Sequence, residues 1–82
     1  MPIKKYLNRV EQFDYLVRAE CTGPPAKIAP KLGLAESTFY AFLNGLKYDY
    51  NFPISYCRKR MTYFYYAQGQ IVNLHFKKLT QN

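Results

Sequence analysis

The spacing of the apolar residues changes near residue 50, and this change limits the chain to few architectures. Before that point, apolar residues recur every three or four positions, which is typical of helices with one buried face. After it, β-branched and aromatic residues form short runs that favour strands. The chain has 82 residues, enough for one small core. We therefore expect a single α+β domain over residues 1–82, with helices first and strands after them.

Two helices are predicted before residue 33. The first ends before Thr22-Gly23-Pro24-Pro25, because Gly and Pro stop helices. The second is short, covers residues 26–32 after Pro25 at its first position, and is shortened or kinked by Pro30, which lacks the N–H of a helical residue. The predicted apolar face of the first helix consists of Ile3, Tyr6, Leu7, Val10, Phe13, Leu16 and Val17.

A third helix is predicted from about Glu36 to Lys47. Gly33 precedes it and supplies the left-handed backbone conformation that a sharp turn between helices needs. Gly45 weakens the end of this helix, and residues 48–53 form a loop because Asp, Asn and Pro favour turns. The predicted apolar stripe consists of Phe39, Phe42, Leu43 and Leu46.

The last part of the chain predicts three strands. Residues 54–57 and 61–66 are runs of β-branched and aromatic residues on either side of Arg58-Lys59-Arg60. This arrangement indicates a β-hairpin with a basic tip. Residues 70–77 alternate in polarity and predict one half-buried strand. In that strand Ile71, Asn73, His75 and Lys77 share one side, and Val72, Leu74 and Phe76 share the other.

The charge is unevenly distributed along the chain. Twelve Lys and Arg residues against five Asp and Glu residues give a formal net charge of +7. Residues 1–49 hold seven basic and five acidic residues, net +2, whereas residues 50–82 hold five basic and no acidic residues, net +5. A positive field attracts nucleic acid or an anionic membrane surface. We expect the second part of the chain to contact such a polyanion.

Residue types that carry catalysis or bind metals are scarce. Cys21, Cys57 and His75 are the only cysteines and histidine, so they do not make a four-ligand zinc site, and an enzyme is not expected. No cofactor is implied, and both cysteines are expected to be buried and unbridged. The N-terminus has no apolar run of signal-peptide length, and no stretch approaches the ~20 apolar residues of a membrane span. A cytoplasmic location is therefore expected.

Residues 24–47 place a small residue, a turn glycine and two apolar anchors at the spacing of a helix-turn-helix motif. Ala29 is small where two helices approach, and Phe39 and Phe42 hold the second helix down so that its other face points outward. The motif resembles that of small winged-helix regulators of bacteria and phages. The likeness is carried by Ile28-Ala29, Lys31-Leu32-Gly33-Leu34, Ser37-Thr38-Phe39-Tyr40 and Leu43.

The resemblance continues into the predicted hairpin, where Pro53-Ile54-Ser55-Tyr56, Arg58-Lys59-Arg60 and Thr62-Tyr63-Phe64-Tyr65 are similar to the wing of such proteins. It implies a winged helix-turn-helix fold of three helices and a three-stranded antiparallel sheet, with the wing at 54–66 and the last strand at 70–77. It also implies a transcriptional or phage regulatory factor that binds double-stranded DNA and is nucleoid-associated when bound. The third helix would enter the major groove, and the wing would contact the backbone or minor groove.

The candidate DNA contacts fall into three groups. On the third helix, Asn44 suits adenine, and Tyr40 suits a phosphate or a thymine methyl group. The hairpin tip suits phosphates or the minor groove, and the lysines of the second helix suit phosphates. Four residues depart from the family pattern: Ala35 replaces a capping Ser or Thr, Glu36 and Ala41 replace arginines, and Pro30 replaces a helix-compatible residue. The complete candidate set is Lys27, Lys31, Glu36, Ser37, Thr38, Tyr40, Asn44, Lys47, Arg58, Lys59 and Arg60.

Other functions remain open at this point. Glu36 and Ala41 also suit a protein-interaction module that docks a polymerase or host factor. The tyrosines of residues 56–66 suit stacking of single-stranded nucleic acid or RNA, although such clusters are also typical of a core. A homodimer is also compatible with the heptad-like spacing on the first helix of Ile3, Tyr6, Val10, Phe13 and Val17.

Overall fold

The structure is a computed structural model that describes residues 3–72 and 74–79. The chain forms helices α1 (Ile3–Arg18), α2 (Pro25–Lys31) and α3 (Glu36–Asn44), a π-helical turn (Gly45–Asp49), and strands β1 (Ile54–Cys57), β2 (Thr62–Tyr65), β3 (Gly69–Val72) and β4 (His75–Lys78). The predicted α+β class and its three helices are confirmed. The prediction of one three-stranded sheet is wrong, because the strands form two separate antiparallel pairs.

Helix α1 supplies one side of the core. Its buried residues are Val10, Phe13 and Val17, and Tyr6 and Leu16 pack against the core beside them. Ile3 and Leu7 were assigned to the same face but are exposed. At about 100° of rotation per residue they lie to one side of the line through the buried residues. The buried stripe of α1 is therefore narrower than its apolar spacing predicts.

Helix α2 is short, as predicted. Pro30 stands in its last turn, and the helix ends one residue later. Gly33 then has φ +72°, and the N–H of Leu34 donates to the carbonyl of Ala29 at 2.9 Å, which closes the turn toward α3. The buried residues of α2 are Ile28 and Ala29.

Side chains of α1 satisfy the backbone at the end of α2. Arg9 Nε donates to the carbonyl of Leu32 at 2.8 Å, and Gln12 Nε2 donates to the carbonyl of Lys31 at 3.0 Å. The last carbonyls of a helix have no partner within the helix, so these bonds hold the turn against α1.

Helix α3 is shorter than predicted. It ends at Asn44 instead of Lys47, and the chain continues as the π-helical turn. In a π-helix the hydrogen bonds span five residues, so the turn is wider than in an α-helix. Leu46 stays fully buried within it, and the carbonyl of Leu46 accepts the N–H of Phe52 at 2.9 Å. The wider turn thus keeps the last apolar anchor in the core while the chain turns toward β1.

The first hairpin agrees with its prediction. Strands β1 and β2 pair antiparallel with Ile54 opposite Tyr65 and Cys57 opposite Thr62. The turn between them covers residues 58–61. The prediction that both cysteines are buried is wrong, because Cys57 is half-buried and Cys21 is exposed.

Residues 70–77 do not form the predicted single strand. Strands β3 and β4 pair with each other, with Ile71 opposite Phe76 and Val72 opposite His75. Leu74 has φ +68° at the reversal; Asn73, assigned to the single strand, lies outside the described residues. Paired residues in a hairpin share a face, whereas residues five apart in one strand lie on opposite faces. Ile71 and Phe76 therefore both face the protein, contrary to the predicted alternation.

The second hairpin joins the core through aromatic rings. Phe76 is buried, with its ring centroid 5.4 Å from that of Phe52 and 4.8 Å from that of Tyr65. The N–H of Phe76 also donates to the carbonyl of Tyr50 at 3.0 Å. His75 is exposed on β4. Among the helices that the structure describes, none has the length and apolar character to cross a membrane.

Candidate nucleic-acid interface

Helix α3 presents a polar, exposed face. Its buried side consists of Phe39, Phe42 and Leu43. The side chains that were predicted to point outward are exposed, namely Glu36, Ser37, Thr38, Tyr40 and Asn44. Ala35 precedes the helix and makes no side-chain cap, as its identity predicts. The exposed face therefore offers hydroxyls, an amide and one carboxylate.

Aromatic packing fixes α3 against the first hairpin. Phe39 is fully buried, with its ring centroid 5.7 Å from that of Tyr63 on β2 and 6.3 Å from that of Phe13 on α1. Tyr40 lies beside Phe39 at a centroid distance of 5.9 Å. The exposed face of α3 and the β1–β2 hairpin are thus parts of one packed unit.

A tyrosine cluster lies where α3 meets the hairpin. The rings of Tyr56 and Tyr63 have centroids 4.7 Å apart. Burial raises the pKa of Tyr63 to about 12, with smaller contributions from Tyr40, Tyr56 and Glu36. The hydroxyl of Tyr63 therefore stays neutral at physiological pH. Tyr63 belongs to the core, as the core interpretation of the tyrosine run predicted.

The segment between α1 and α2 is tied to the same hairpin. The N–H of Thr22 donates to Thr62 Oγ1 at 3.2 Å, and the N–H of Tyr63 donates to Thr22 Oγ1 at 2.8 Å. Both threonines are buried. This network places the start of α2 beside β2.

The hairpin tip carries three exposed cations, Arg58, Lys59 and Arg60. Arg60 forms an ion pair with Glu20, which follows α1, and both side chains are largely exposed. Pairs of this kind contribute about 0–1 kcal/mol. Among the described residues, Arg58 and Lys59 have no ion-pair partner. The tip therefore presents two unpaired positive charges and one that is partly neutralised.

The lysines of α2 lie close to the segment that joins α1 to α2, and this segment is bonded to the first hairpin. Lys31 Nζ is 3.4 Å from the carbonyl oxygen of Cys21, and the side chain of Lys27 packs near Gly23. Both lysines are exposed. Candidate cations from α2 and from the hairpin thus flank the Thr22 network.

Lys47 is separated from the rest of the candidate set. It was assigned to the end of α3, but it lies in the π-helical turn and is half-buried, with Nζ 5.6 Å from the ring centroid of Tyr48. Because α3 ends at Asn44, Lys47 stands outside this helix.

Two residues of this region were not found from the sequence. Glu20 and Thr22 lie about 40 residues before their partners Arg60 and Thr62, and no local pattern links such positions. Within residues 3–72 and 74–79, no group of three His, Cys, Asp or Glu side chains is placed to hold a metal ion. Comparison of the chain with protein-family models, with curated proteins and with solved structures finds no match.

Proposed function

We propose that the chain binds double-stranded DNA as a small transcriptional or phage regulatory factor with a winged helix-turn-helix architecture. In this proposal α2 and α3 are the helix-turn-helix, and the β1–β2 hairpin is the wing. The observation that carries the proposal is the packing of Phe39 on Tyr63, which combines the exposed face of α3 and the cationic hairpin in one unit. A helix in the major groove with a wing on the flanking backbone requires such a unit.

The exposed side chains of α3 would read the bases. Asn44 would pair with adenine, and Ser37 would bond a phosphate or a base edge. Tyr40 would contact a phosphate or a thymine methyl group, and Thr38 a phosphate. The face holds no cation, so sequence reading would depend on hydrogen bonds and apolar contacts rather than on charge.

The cations of the hairpin and of α2 would supply most of the affinity. Arg58 and Lys59 are free to bind phosphates, whereas Arg60 must share its charge with Glu20. Lys27 and Lys31 would neutralise phosphates beside the start of α3.

The salt dependence of duplex binding tests this proposal. If four to six phosphates are neutralised, log affinity falls with log salt at a slope of about −4 to −5. The variant Arg58→Ala/Lys59→Ala should flatten the slope by about two units, because each lost phosphate contact removes roughly 0.9. If Arg60→Ala is added, the slope should flatten by about two to three units in total.

A matched control removes two positive charges elsewhere. Lys5 on α1 and Lys77 on β4 are exposed and lie outside the candidate interface, so Lys5→Ala/Lys77→Ala should change the slope much less. Equal slopes for the hairpin variant and the wild type would place the binding surface elsewhere. Absence of duplex binding at low salt would refute the proposal.

Docking of a protein partner is the second candidate function. It is favoured by the chemistry of α3, whose exposed face carries Glu36 and the half-exposed ring of Tyr40 but no base. Retention on heparin together with a salt-sensitive shift of duplex DNA supports DNA binding. Failure of both measurements supports docking of a polymerase or host factor.

A further inference from the structure

A groove of about 970 Å³ runs between α1 and the second hairpin. Its apolar lining consists of Ile3, Leu7, Val10, Ile71 and Leu74. Its charged rim consists of Glu11, Asp14 and Arg18. Apart from Val10, the residues that α1 contributes to the groove lie outside the core.

Two of the lining residues are apolar and exposed. Ile3 is 65% exposed and Leu7 is 38% exposed, although both belong to the apolar spacing of α1. Exposed apolar residues grouped beside a concave surface are typical of an interaction site. Leu7 and Ile3 form the ridge of this surface, and the space between Val10, Ile71 and Leu74 forms its hollow.

We propose that two copies of the chain associate through this groove, with their α1 helices antiparallel. A two-fold symmetric interface between identical copies must contain both halves of the contact in one patch. The ridge and the hollow satisfy this condition, because Ile3 of one copy fits the apolar hollow of the other. The inference does not depend on DNA binding.

The charges along α1 favour this partner and this orientation. Lys4 precedes Leu7 by three residues, and Glu11 follows Leu7 by four. Because each spacing is close to one helical turn, both charged residues lie on the same face of α1 as Leu7. In an antiparallel pair centred on Leu7, Lys4 lies about 4.5 Å along the axis on one side and Glu11 about 6 Å on the other. Lys4 of each copy therefore lies opposite Glu11 of the other copy, which gives two equivalent ion pairs.

These two charges are available for such a contact. Asp14 is already bonded to Arg18 and accepts the hydroxyl of Tyr65 at 2.7 Å. Within the described part of the chain, neither Lys4 nor Glu11 forms an ion pair. Copies with a net charge of +7 repel each other. The groove is a place where this repulsion is small, because Lys4 and Arg18 balance Glu11 and Asp14.

This surface differs from the dimer seam that the heptad-like spacing of α1 suggested. Val10, Phe13 and Val17 of that seam are buried inside their own chain. Ile3 and Val10 are common to both, and Val10 is reached only at the floor of the groove.

Sedimentation of the full chain without DNA tests the proposal. We expect the wild type to pass from monomer to dimer between about 1 µM and about 1 mM, the range of weak specific interfaces. Ile3→Glu and Leu7→Glu should each abolish the dimer, because they place a carboxylate in the apolar contact. The matched control is Tyr15→Glu, which adds the same charge to the same helix at a side chain that is 70% exposed and outside the groove lining. It should still dimerise.

The charge pair gives a second, independent measurement. Lys4→Glu and Glu11→Lys should each raise the dimer dissociation constant at least several-fold, and the double variant should restore it. Circular dichroism and unfolding curves of every variant establish that it is folded. A wild type that stays monomeric at all concentrations, a dimer that survives Ile3→Glu and Leu7→Glu, or a double variant that is not restored would each overturn the proposal. The first of these results would leave the groove to a different protein.

Discussion

The hydroxyl oxygens of Thr22 and Thr62 lie 3.1 Å apart, although the residues are separated by 40 positions in the chain. Thr22 also accepts the N–H of Tyr63, and Thr62 accepts the N–H of Thr22. Their exposed fractions are 0% and 2%. Buried polar groups are costly unless they are all bonded, so this network permits few orientations of the hairpin against the helices.

Thr22→Val should destabilise the fold. The substitution keeps the shape of the side chain but leaves the N–H of Tyr63 buried without an acceptor, which costs about 1–3 kcal/mol. Urea unfolding measures the loss. Thr22→Ser is the control, since it keeps the hydroxyl and loses one methyl group, worth about 0.8 kcal/mol. Equal stability of the valine variant and the wild type would contradict the assigned bond.

Stability should fall in alkaline solution through Tyr63. Its pKa is raised from 10.0 to about 12 by burial, so the unfolded state loses the proton first as the pH rises. This contribution to stability is complete below pH 10.0 and is lost progressively as the pH rises toward about 12. Burial and the bond to Asp14 also raise the pKa of Tyr65, which acts in the same direction.

Urea unfolding at a series of pH values, from neutral to about 11, measures this loss. Tyr63→Phe has no phenolic proton at this site, so its stability should decline less steeply with pH than that of the wild type. All other titrating groups are shared by the two proteins. Parallel pH profiles would show that Tyr63 does not titrate abnormally.

Glu36→Gln should have opposite effects on folding and on DNA binding. The carboxylate stands in the first turn of α3, where it interacts favourably with the helix dipole. Its removal should lower the free energy of unfolding by about 0.3 kcal/mol. On an interface with phosphates the same carboxylate is repelled, so the variant should bind duplex DNA a few-fold more tightly.

Matched titrations of the wild type and Glu36→Gln against the same duplexes decide the role of this residue. If Glu36 accepts a bond from cytosine, the variant should instead bind one sequence more weakly, within about 1–3 kcal/mol, and lose discrimination at that base pair. Unchanged affinity on every sequence would show that α3 does not face DNA.

Gly69→Ala should weaken the second hairpin. A Cβ at this position would lie 2.5 Å from Cε1 of Phe76 and closer still to the carbonyl oxygen of Lys77. Overpacking of this kind costs about 1–3 kcal/mol, because the backbone of β4 or the ring of Phe76 must shift. Gly45→Ala is the control, since its Cβ would meet only Asp49 at 3.9 Å and its backbone is right-handed helical. That variant should gain about 0.4–1 kcal/mol in thermal or urea unfolding.

Local signals account for the features that were correctly predicted. Gly33 supplied the turn between α2 and α3, because few other residues adopt its positive φ. Two strand-forming runs around a basic tripeptide predicted the first hairpin and its tip. The exposed face of α3 followed from the positions of Phe39, Phe42 and Leu43, since the remaining positions of a helix must point outward.

The second hairpin was not predictable in the same way. Alternating polarity over residues 70–77 is compatible with one strand or with two short strands. The choice depends on Phe76, whose ring packs on Phe52 and Tyr65, and on the positive φ of Leu74. The exposure of Ile3 and Leu7 was not predictable either, because their apolar character does not indicate how far the core extends along α1.

The sequence by itself determined that the helices precede the strands and that most of the net positive charge lies in residues 50–82. Those properties depend on neighbouring residues, whose spacing and backbone preferences act over a few positions. The tertiary structure alone decided which charges stay free and how the elements face each other. Arg60 meets Glu20 and Thr62 meets Thr22 across about 40 positions, and contacts at that separation form only when the whole chain has packed around a common core.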